Sequence, residues 1–403
     1  MRYEYIVGPK GDKPRSDVRI SYTPSKKSLS IELSGKVDTL SRETILSQAE
    51  AVCRDLGISS GEFLLEDFGA LPFVISARIE ALIKMAHPKI TTESLSAMVL
   101  HCEVKSMRDR FRRSRLYVPG NQPKLMLNAM KYKPDGIILD LEDAVAQSEK
   151  EATRFVIRNA LRTLDFSGAE RMIRINQGEM GLQDLEFVVP HNVHLILVPK
   201  VESAEQLVAV DNKIVQIMEN CGRKDPVFLM PIIESARGVM NALDIAEASP
   251  NNVALTIGLE DYTADIGTVR TDEGKESFFA RSTVINAARA AGLQAIDTVS
   301  VDIGDEEALR ASVREAKALG FDGKGCIHPR QIEPIHEEYA PDTDKIEKAK
   351  KIVLAFDEAQ KQGLGVVSLG SKMIDAPVVK KAAQIIDLAI ASGLLPKIWK
   401  EDE

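Results

Sequence analysis

Two apolar runs decide the fold: PVFLMPIIESARG (residues 226–238) and NNVALTIGLEDYTADIG (residues 251–267). Each run ends abruptly in acidic residues, Glu234 after the first and Glu260 with Asp261 after the second. Apolar runs of this length, bounded by turn-forming residues, are typical of parallel strands that are buried on both faces. The sequence therefore predicts two neighbouring parallel strands whose carboxyl ends carry acids.

Acids at the ends of successive parallel strands lie side by side at the mouth of an α/β fold. Active sites of barrels and of open sheets are found there. Two carboxylates with few other protein ligands suit Mg2+, which keeps several waters and accepts oxygens from an anionic substrate. The alternative interpretation is that these acids cap helices or face solvent beyond the strand ends.

Composition excludes several classes of protein. The chain has 403 residues and a net charge of −8, which argues against a nucleic-acid binder that depends on a basic surface. Its four cysteines show no paired spacing, which argues against a zinc site and against a disulfide framework. The sequence therefore predicts a reducing compartment. Without a signal-peptide core or a membrane-length apolar run, the sequence predicts a cytoplasmic enzyme.

From residue 114 onward, strand and helix patterns alternate. The predicted strands are SRLYVPG, DGIILDLED, RMIRIN, HLILVPKVE, PVFLMPIIES, VALTIGLED, AIDTVSVD and GKGCIHP. Eight such units between residues 114 and 340 fit a (β/α)8 TIM barrel, in the α/β class, better than an open sheet. The fingerprints GxGxxG after a first strand and GxxxxGK[ST] are both absent, which disfavours Rossmann and P-loop folds.

Three further segments surround the barrel pattern. Residues 1–90 form a small α+β unit of predicted ββαββα order, in which EFLLEDFGALPFVIS (residues 62–76) supplies two strands around a turn. Residues 91–113 are predicted to be a partly helical linker that becomes basic at its end. Its arginines are either a solvated face or a surface for phosphates or a partner subunit. Residues 341–403 are predicted to be a C-terminal extension with two helices.

Charged residues end other strands as well. The three acids of DLEDAV (residues 140–145) must line an open mouth or pair with bases, because burying them without cations would be prohibitive. Arg174, in RIN, can clamp a carboxylate through two parallel hydrogen bonds. Lys200, in VPKVE, is the natural partner for one of the acids and is counted with the substrate-binding residues. Any one of these charged residues could simply end a strand. Their convergence on one face of the fold favours an active site.

A family resemblance emerges from blocks that occur in order along the chain. They are RSRLYVPGNQPKLMLNA, GIILDLEDAV, RIN, ILVPKVESAEQL, IIESARG, GLEDYTADIG, GFDGKGCIHPRQI and KMIDAPVVKKA. From about residue 112 to about residue 395 the chain resembles the citrate lyase beta subunit family, within the HpcH/HpaI aldolase superfamily. That family includes malyl- and citramalyl-coenzyme A lyases. The resemblance implies a barrel that assembles as a homotrimer or hexamer. It also implies a Mg2+-dependent carbon–carbon lyase that cleaves a citryl-, malyl- or citramalyl-type 3-hydroxyacyl thioester.

The same resemblance implies roles for single residues. Mg2+ would be held by Glu234 and Asp261, and Arg174 would bind the substrate carboxylate. Asp375, in MIDAPVV, would be a catalytic acid that the C-terminal extension supplies to the mouth of the neighbouring subunit. The alternative for Asp375 is that it caps the last helix, ahead of Pro377. The remaining residues, predicted to surround the substrate and the metal, are Arg115, Glu142 and Asp143.

The N-terminal unit resembles the citrate lyase gamma subunit, an acyl carrier protein, through SDVRISYTP (residues 16–24) and EDFGALPFVISARIEALIKMA (residues 66–86). In that carrier, the serine that bears the phosphoribosyl-dephospho-coenzyme A arm lies two residues before the aspartate of the first block. Arg15 occupies this position here and cannot carry an arm, and Ser16 follows it. Either Ser16 carries the arm with a slip of one residue, or the domain has no arm and serves assembly. We favour the second.

Two other functions remain open. One is an aldolase that acts on free 2-oxo acid aldols, and the other is a scaffold or carrier subunit that works with a citrate lyase alpha-like subunit. The first strand with its NQPKL continuation and the MIDAPVV segment favour a lyase whose substrate is a coenzyme A thioester. The presence of Arg174, Glu234, Asp261 and Asp375 argues against an inactive barrel, and Arg15 argues against a working carrier.

Overall fold

The computed structural model describes residues 4–9, 14–35, 39–361, 363, 366–369 and 372–401. These residues form a small N-terminal sheet with two helices, a closed eight-stranded barrel with its helices, and a C-terminal pair of helices. Across these ranges, no helix combines the length and the apolar character needed to cross a membrane.

The N-terminal residues form a four-stranded sheet with two helices. The elements are β1 (Tyr5–Val7), β2 (Val18–Ser28), β3 (Ser30–Ser34), α1 (Thr39–Asp55), β4 (Ser60–Asp67) and α2 (Pro72–Ala86). The strand order is β1-β2-β4-β3, and only the pair β3–β4 is parallel. The predicted ββαββα order is therefore wrong, because three strands precede α1 and one strand separates α1 from α2.

The segment EFLLEDFGALPFVIS contains one strand rather than two. Its first part belongs to β4, and Pro72 begins α2 at a first-turn position that suits the fixed φ of proline. Every residue of α2 from Phe73 to Ile83 is buried. A helix that is buried on all sides lacks a polar face, so its apolar run cannot be distinguished from a strand by periodicity.

The barrel is closed by eight parallel strands, as predicted. The strands are β5 (Ser114–Pro119), β6 (Gly136–Asp140), β7 (Glu170–Arg174), β8 (Leu195–Val198), β9 (Phe228–Ile233), β10 (Ala254–Ile257), β11 (Gln294–Asp297) and β12 (Gly323–Cys326). Each strand pairs with the next in the chain, and β12 closes the barrel against β5, where Gly325 pairs with Arg115. The carboxyl ends of the strands form one rim, which we call the mouth.

Helices follow the strands and cover the outside of the barrel. They are α3 (Pro123–Ala129), α4 (Lys150–Thr163), α5 (Gly178–Val188), α6 (Ala204–Cys221), α7 (Ala236–Met240), α8 (Ala242–Glu247), α9 (Leu259–Asp265), α10 (Phe278–Ala290), α11 (Glu306–Leu319) and α12 (Ile332–Tyr339). Inside the barrel, buried apolar side chains such as Met172, Leu197 and Met230 form a separate cluster. Most of the interior is thus filled, which leaves the mouth as the place for a site.

The N-terminal unit is docked on the barrel through α2 and α4. Arg158 of α4 pairs with Glu80 of α2, with Nη2–Oε2 at 2.6 Å and Nη1–Oε1 at 3.1 Å, and both side chains are fully buried. Asn159 Nδ2 donates a hydrogen bond of 3.1 Å to the carbonyl oxygen of Phe73. Because losing one partner of a buried ion pair leaves an uncompensated charge, this pair fixes how the two units meet.

The linker between the two units is extended, with a single 3-10 turn at Leu100–Cys102. Arg112 Nε lies 2.7 Å from Glu170 Oε2, and Arg113 Nε lies 2.8 Å from Asp135 Oδ2. Both arginines are buried against the amino-terminal ends of the barrel strands. They are therefore neither a solvated face nor a surface for phosphates, and the predicted partly helical linker is wrong as well.

The C-terminal extension contains α13 (Thr343–Lys361), the short strands β13 (Val367–Leu369) and β14 (Lys372–Ile374), and α14 (Ala376–Ala391). The two helices pack on each other around an apolar cluster of their own, which includes Ile352, Ile386 and Trp399. Ser392, just after α14, accepts a hydrogen bond of 3.0 Å from Arg113 Nη1. The far end of α14 is therefore tied to the end of the barrel opposite the mouth.

Candidate active site

The mouth of the barrel contains a cavity of about 370 Å³. Its wall is formed by residues at or just after the carboxyl ends of the strands, so side chains from many strands converge there. The charged residues of its lining are Arg115, Asp140, Asp143, Arg174, Glu234, Glu260, Asp261 and Asp297. Five of the residues predicted from the sequence are thus brought together: Arg115, Asp143, Arg174, Glu234 and Asp261.

Glu234 follows the last residue of β9 and is 5% exposed. Its Oε2 atom is buried and has no hydrogen-bond partner among the described residues. Burial, together with the nearby charges of Asp261 and Glu142, raises the pKa of Glu234 to about 8. A β-carbon on Gly258 would lie 2.8 Å from Glu234 Cγ, so glycine is required for this close approach. The chain thus makes room for a buried carboxyl group whose Oε2 atom has no hydrogen bond to a described residue, and the charges of Arg174 and Lys200 offset its burial only in part.

The two acids after β10 have different partners. Glu260 Oε1 lies 2.7 Å from Arg270 Nη1. Asp261 Oδ1 lies 3.1 Å from Lys200 Nζ, in the pairing with an acid that the sequence predicted for Lys200. Lys200 itself has a left-handed backbone with φ of 50°, which is uncommon for a residue other than glycine. Of these two acids, Asp261 is the one whose charge helps to raise the pKa of Glu234.

The donors present fit Mg2+. Across the part of the chain that the structure describes, no group of three or more His, Cys, Asp or Glu side chains is arranged to hold a metal ion. Mg2+ does not need such a cage, because it is commonly held by one or two carboxylates with waters and substrate oxygens. Glu234 offers a buried oxygen without a partner, and Asp261 adds a second charge beside it. A divalent cation there would remove the electrostatic cost of this pair.

Arg174 ends β7, and its guanidinium group is held by acids of the chain itself. Nε and Nη2 contact the two carboxylate oxygens of Asp140 at 2.8 and 2.5 Å. Nη1 lies 2.8 Å from Glu142 Oε2, although the two atoms are not aligned for a hydrogen bond. Burial lowers the pKa of Arg174, but these acids outweigh it and raise the pKa well above its usual value. The predicted two-bond clamp exists, with Asp140 as its carboxylate.

The other acids of DLEDAV differ in exposure. Glu142 is 2% exposed and accepts a hydrogen bond of 2.8 Å from Gln177 Nε2, and burial raises its pKa. Asp143 lines the cavity with its side chain 56% exposed. Glu142 is therefore a buried support for Arg174, whereas Asp143 is open to a ligand.

The amino-acid sequence of this chain is similar to that of a known protein family. The model of the family described as HpcH/HpaI aldolase/citrate lyase matches residues 113–329. The chain is 42% identical over 283 residues to citrate lyase subunit beta of Haemophilus influenzae, covering 70% of this chain and 97% of the relative. It is 34% identical over 290 residues to the mitochondrial citramalyl-CoA lyase of Homo sapiens, covering 69% and 85%.

The chain belongs to the HpcH/HpaI aldolase/citrate lyase family. This confirms the family predicted from the sequence and, with it, the class of carbon–carbon lyases. A solved structure of protein CitE from Mycobacterium tuberculosis, in complex with magnesium, acetoacetate and coenzyme A, is 31% identical. It superposes with a TM-score of 0.55 over 70% of this chain and 99% of its own.

The N-terminal residues match a second family model. It is described as malonate decarboxylase delta subunit, abbreviated ACP, and matches residues 11–86. This confirms the predicted likeness to an acyl carrier domain. Ser16 has a φ of 57°, and its backbone N–H donates to the carbonyl oxygen of Phe68 at 2.9 Å.

The segment that contains Ser16 lies close to the mouth of the lyase barrel. Asp17, the next residue, is buried and paired with Arg78 Nη2 at 2.8 Å. The same nitrogen contacts the carbonyl oxygen of Asn121 at 3.5 Å. Asn121 lies in the loop that leaves β5 at the mouth, so one guanidinium group joins the carrier-type segment to the rim of the site.

Asp375 lies outside the cavity of its own barrel in this family member. Its carboxylate accepts a hydrogen bond of 3.2 Å from the backbone nitrogen of Val378 and so caps α14. The side chain is exposed. The capping that the sequence offered as the alternative is therefore present, and Asp375 is not among the residues that line the cavity of its own barrel.

A charged cluster beside the cavity was not predicted from the sequence. Asp297 ends β11, and its Oδ2 atom lies 2.9 Å from Lys324 Nζ and 3.1 Å from Arg281 Nη2. Although burial raises the pKa of Asp297, these two cations outweigh it and hold the pKa below its usual value. Each residue resembles an ordinary strand or helix residue in the sequence. One signal was available in the sequence: Asp297 directly follows the short apolar start of AIDTVSVD, just as Glu234 directly follows an apolar run.

Proposed function

We propose that this enzyme cleaves a 3-hydroxyacyl thioester of coenzyme A, with Mg2+ as cofactor, into a 2-oxo acid and a shorter acyl thioester. The observation that carries the proposal is the convergence of Glu234 and Asp261 on one cavity, with a buried Glu234 oxygen that lacks a partner. Relatives named citrate lyase subunit beta and citramalyl-CoA lyase support it. So does the relative solved with magnesium, acetoacetate and coenzyme A.

The reaction breaks the bond between the carbon that bears the hydroxyl group and the α-carbon of the thioester. A base accepts the proton of the hydroxyl group, which becomes the carbonyl of the 2-oxo acid, while the electrons of the broken carbon–carbon bond pass to the α-carbon as a thioester enolate. An acid then protonates that carbon. When bound, Mg2+ would stabilise the negative charge that develops on the oxygen. Glu234 and Asp261 would hold the ion, and Gly258 leaves the space that Glu234 needs.

Arg174 orients the substrate in this proposal. A guanidinium group has five N–H donors, and Asp140 and Glu142 do not use all of them. The donors left over can bind the carboxylate next to the hydroxyl group, which keeps the scissile bond aligned. The two acids fix the guanidinium plane, so little rotamer entropy remains to be lost when substrate binds. Lys200 and Asp143 complete the rim on the side of Asp261.

The proton donor that we infer is Asp375 of a neighbouring subunit. Asp375 lies in the C-terminal extension, whose two helices pack as a separate unit around their own apolar cluster. This arrangement supports a role for the extension at the barrel of a neighbour. This inference makes the active enzyme a homo-oligomer, and a trimer or hexamer provides a neighbour for every mouth. An alpha-like subunit remains a further candidate partner.

A panel of substrates tests the lyase proposal. Citryl-, malyl- and citramalyl-coenzyme A and the corresponding free acids are incubated with the enzyme and Mg2+, and release of the 2-oxo acid is measured. We expect cleavage of at least one thioester and none of the free acids, with loss of activity in excess EDTA. Cleavage of a free aldol at a comparable rate would make the enzyme an aldolase instead. No cleavage of any thioester would favour a scaffold.

The carrier-like domain is the second candidate for a function. The position of Ser16 favours an arm, because Asp17 and Arg78 join this segment to the mouth of the same barrel. Arg15 in the place of the arm-bearing serine argues against it. So does the rigid docking through Glu80 and Arg158, since a carrier must move between partners. We infer that the domain has no arm and serves assembly.

The mass of the chain distinguishes the two cases for Ser16. Protein purified from its native host should show an intact mass without the increment of a phosphoribosyl-dephospho-coenzyme A group, and the peptide around Ser16 should be unmodified. A Ser16→Ala variant, measured in parallel, shows the mass expected without an arm. A phosphoribosyl-dephospho-coenzyme A increment on that peptide, absent from the variant, would establish a working carrier and move the substrate from free to carrier-bound thioester.

A further inference from the structure

A second pocket lies at the end of the barrel opposite the mouth. It has a volume of about 430 Å³ and is formed by the loops that lead into β6 and β7 together with the end of the linker. Its charged lining residues are Arg110, Lys131, Lys133 and Asp135. Three cations and one acid therefore meet in a pocket that the proposed lyase reaction does not use. We call it the basic pocket.

The acid of the basic pocket is neutralised by an arginine that does not line it. Arg113 holds both carboxylate oxygens of Asp135, with Nε–Oδ2 and Nη2–Oδ1 both at 2.8 Å. The backbone N–H of Arg113 donates to Oδ2 as well, also at 2.8 Å. Asp135 is thus not available as a counter-charge for the three cations. Their charge is concentrated in one pocket of a chain whose net charge is −8.

The two lysines of the basic pocket are exposed and have no acidic partner among the described residues. Lys131 Nζ donates a hydrogen bond of 2.9 Å to Asn128 Oδ1, which is a neutral acceptor. Lys133 has a left-handed backbone with φ of 48°, at the turn that ends a short 3-10 helix (Met130–Tyr132). Both ammonium groups therefore remain free to pair with an anion.

Arg110 is held in the wall of the basic pocket through a single nitrogen. Its Nη2 atom donates to the carbonyl oxygens of Asp135 at 3.2 Å and of Gly168 at 3.0 Å. Its Nε atom is buried without a hydrogen-bond partner among the described residues. The next linker arginines, Arg112 and Arg113, each form two bonds with a carboxylate. Arg110 therefore keeps donors for an anion that those two arginines have already spent.

We propose that the basic pocket binds a phosphate group. A phosphate group carries close to two negative charges at neutral pH and has three strong acceptor oxygens. Lysines as point charges and arginine as a fixed fork of donors are the groups with which proteins bind it. A carboxylate carries one charge and would leave two of the three cations without a partner.

The phosphate group has two possible sources with the same recognised chemistry. The volume of about 430 Å³ exceeds what a phosphate ion alone needs, so the pocket accepts either inorganic phosphate or a phosphomonoester. Neither source interferes with the mouth, because the lining loops precede the barrel strands and the mouth follows them. The proposal goes beyond the lyase function and does not depend on it.

Isothermal titration with inorganic phosphate tests the proposal on the full chain without Mg2+. We expect the parent to bind one phosphate per chain with a Kd of about 1 mM or tighter. A double variant, Lys131→Gln with Lys133→Gln, should bind about a hundredfold more weakly, because each lost bond to a charged group costs about tenfold or more. Absence of saturable binding by the parent, or unchanged binding by the double variant, would overturn the proposal.

Lys224→Gln is the matched control. Lys224 is an exposed lysine in the loop before β9, at the same end of the barrel but outside the basic pocket. This variant changes the net charge of the chain without touching the site, so it should bind phosphate as the parent does. An equal loss per lysine in Lys224→Gln and in the double variant would show a general effect of charge and would contradict a site.

Thermal unfolding without phosphate shows whether the double variant is intact, and its unfolding temperature should match that of the parent because both lysines are exposed. If it is lower, or if the variant does not fold, Ser167→Asp decides. Ser167 lines the basic pocket with a φ of 49°, which aspartate tolerates better than most residues. The added carboxylate should abolish phosphate binding, and unchanged binding in this variant would also refute the proposal.

Three further ligands define what the basic pocket recognises. Adenosine monophosphate, if it binds at least tenfold more tightly than inorganic phosphate, makes a phosphomonoester the ligand, and otherwise free phosphate is the ligand. Acetate should bind at least about tenfold more weakly than phosphate, because it pairs with fewer of the cations. Equal binding of acetate would contradict a phosphate site.

The third ligand is oxaloacetate, a 2-oxo acid, which is added with Mg2+ to fill the mouth. Phosphate affinity should then stay the same, because the two sites lie at opposite ends of the barrel. Displacement of phosphate by oxaloacetate would place it at the mouth and overturn the proposal. None of these outcomes affects the lyase function, which is measured separately by cleavage of thioesters.

Discussion

Glu234→Gln and Asp261→Asn should each abolish Mg2+ binding and nearly all lyase activity while the fold remains intact. Both substitutions keep the shape of the side chain and remove its charge. With Glu234 and Asp261 as the two proposed protein ligands, either loss removes half of the protein charge that holds the ion. Replacing a group in the second coordination shell already costs about 10- to 100-fold in metal affinity, so loss of a direct ligand should cost at least that much.

Isothermal titration of Mg2+ into each purified variant is the measurement. Glu260→Gln is a matched control, because Glu260 precedes Asp261 in the first turn of α9 but is paired with Arg270. The control should bind Mg2+ as the parent does. If both Glu234→Gln and Asp261→Asn keep the parent's affinity, these residues do not form the metal site.

The stability of the metal-free protein gives an independent check on Glu234. Its pKa is about 8 in the folded protein, well above the ordinary value of a glutamate. A raised carboxyl pKa means that folding becomes less favourable as the pH rises from the unfolded-state pKa towards 8. Glutamine is neutral throughout this range. Metal-free Glu234→Gln should therefore be at least as stable as the parent at pH 7 and above.

The barrel could be predicted because its signals are local. Most strands contain a short apolar run that ends in a turn former or a charged residue, and the structure contains all eight where the sequence indicated them. The first residues of α2, 72–76, were predicted to be a strand, because the helix is buried against the barrel helix α4 as well as its own sheet and so has no exposed polar face there. The roles of Arg112 and Arg113 depend on Glu170 and Asp135, which are distant in sequence.

The position of the candidate site residues could be predicted to the same degree. Glu234 and Asp261 line one cavity, as expected for acids that directly follow the buried strands of a barrel. Asp140 could have been assigned to Arg174, since the two residues pair in register on β6 and β7. Among the described residues Arg115 has no anionic partner, and its Nη atoms contact Met230 and Thr256. This absence depends on the whole barrel interior, and no sequence pattern indicates it.

Mixing two inactive variants should restore part of the activity if Asp375 acts in the mouth of a neighbouring subunit. Asp375 caps α14 through Val378, so Asp375→Ala removes a cap as well as an acid and costs about 1 kcal/mol. Asp375→Asn is the sharper variant, because asparagine caps helices well but cannot donate a carboxylic proton. Asp375→Asn and Glu234→Gln should each be inactive alone.

After subunit exchange at equal concentrations, some mouths combine an intact metal site with an intact Asp375 from the neighbour. Random mixing in a symmetric ring gives this pairing at about one quarter of the mouths, which sets the expected recovery. Glu234→Gln mixed with Asp261→Asn is the matched control. Both lesions lie in the same mouth, so no arrangement of subunits repairs it and activity should stay absent.

The outcome decides what the C-terminal extension is for. Recovery in the first mixture and not in the control requires that Asp375 crosses to another barrel. This would also explain why no described residue of the extension lines the cavity of its own barrel. If neither mixture recovers although exchange is verified by mass spectrometry, and Asp375→Asn alone is inactive, Asp375 serves its own barrel. If Asp375→Asn is fully active alone, the carboxylate only caps α14, and the proton for the enolate comes from another residue.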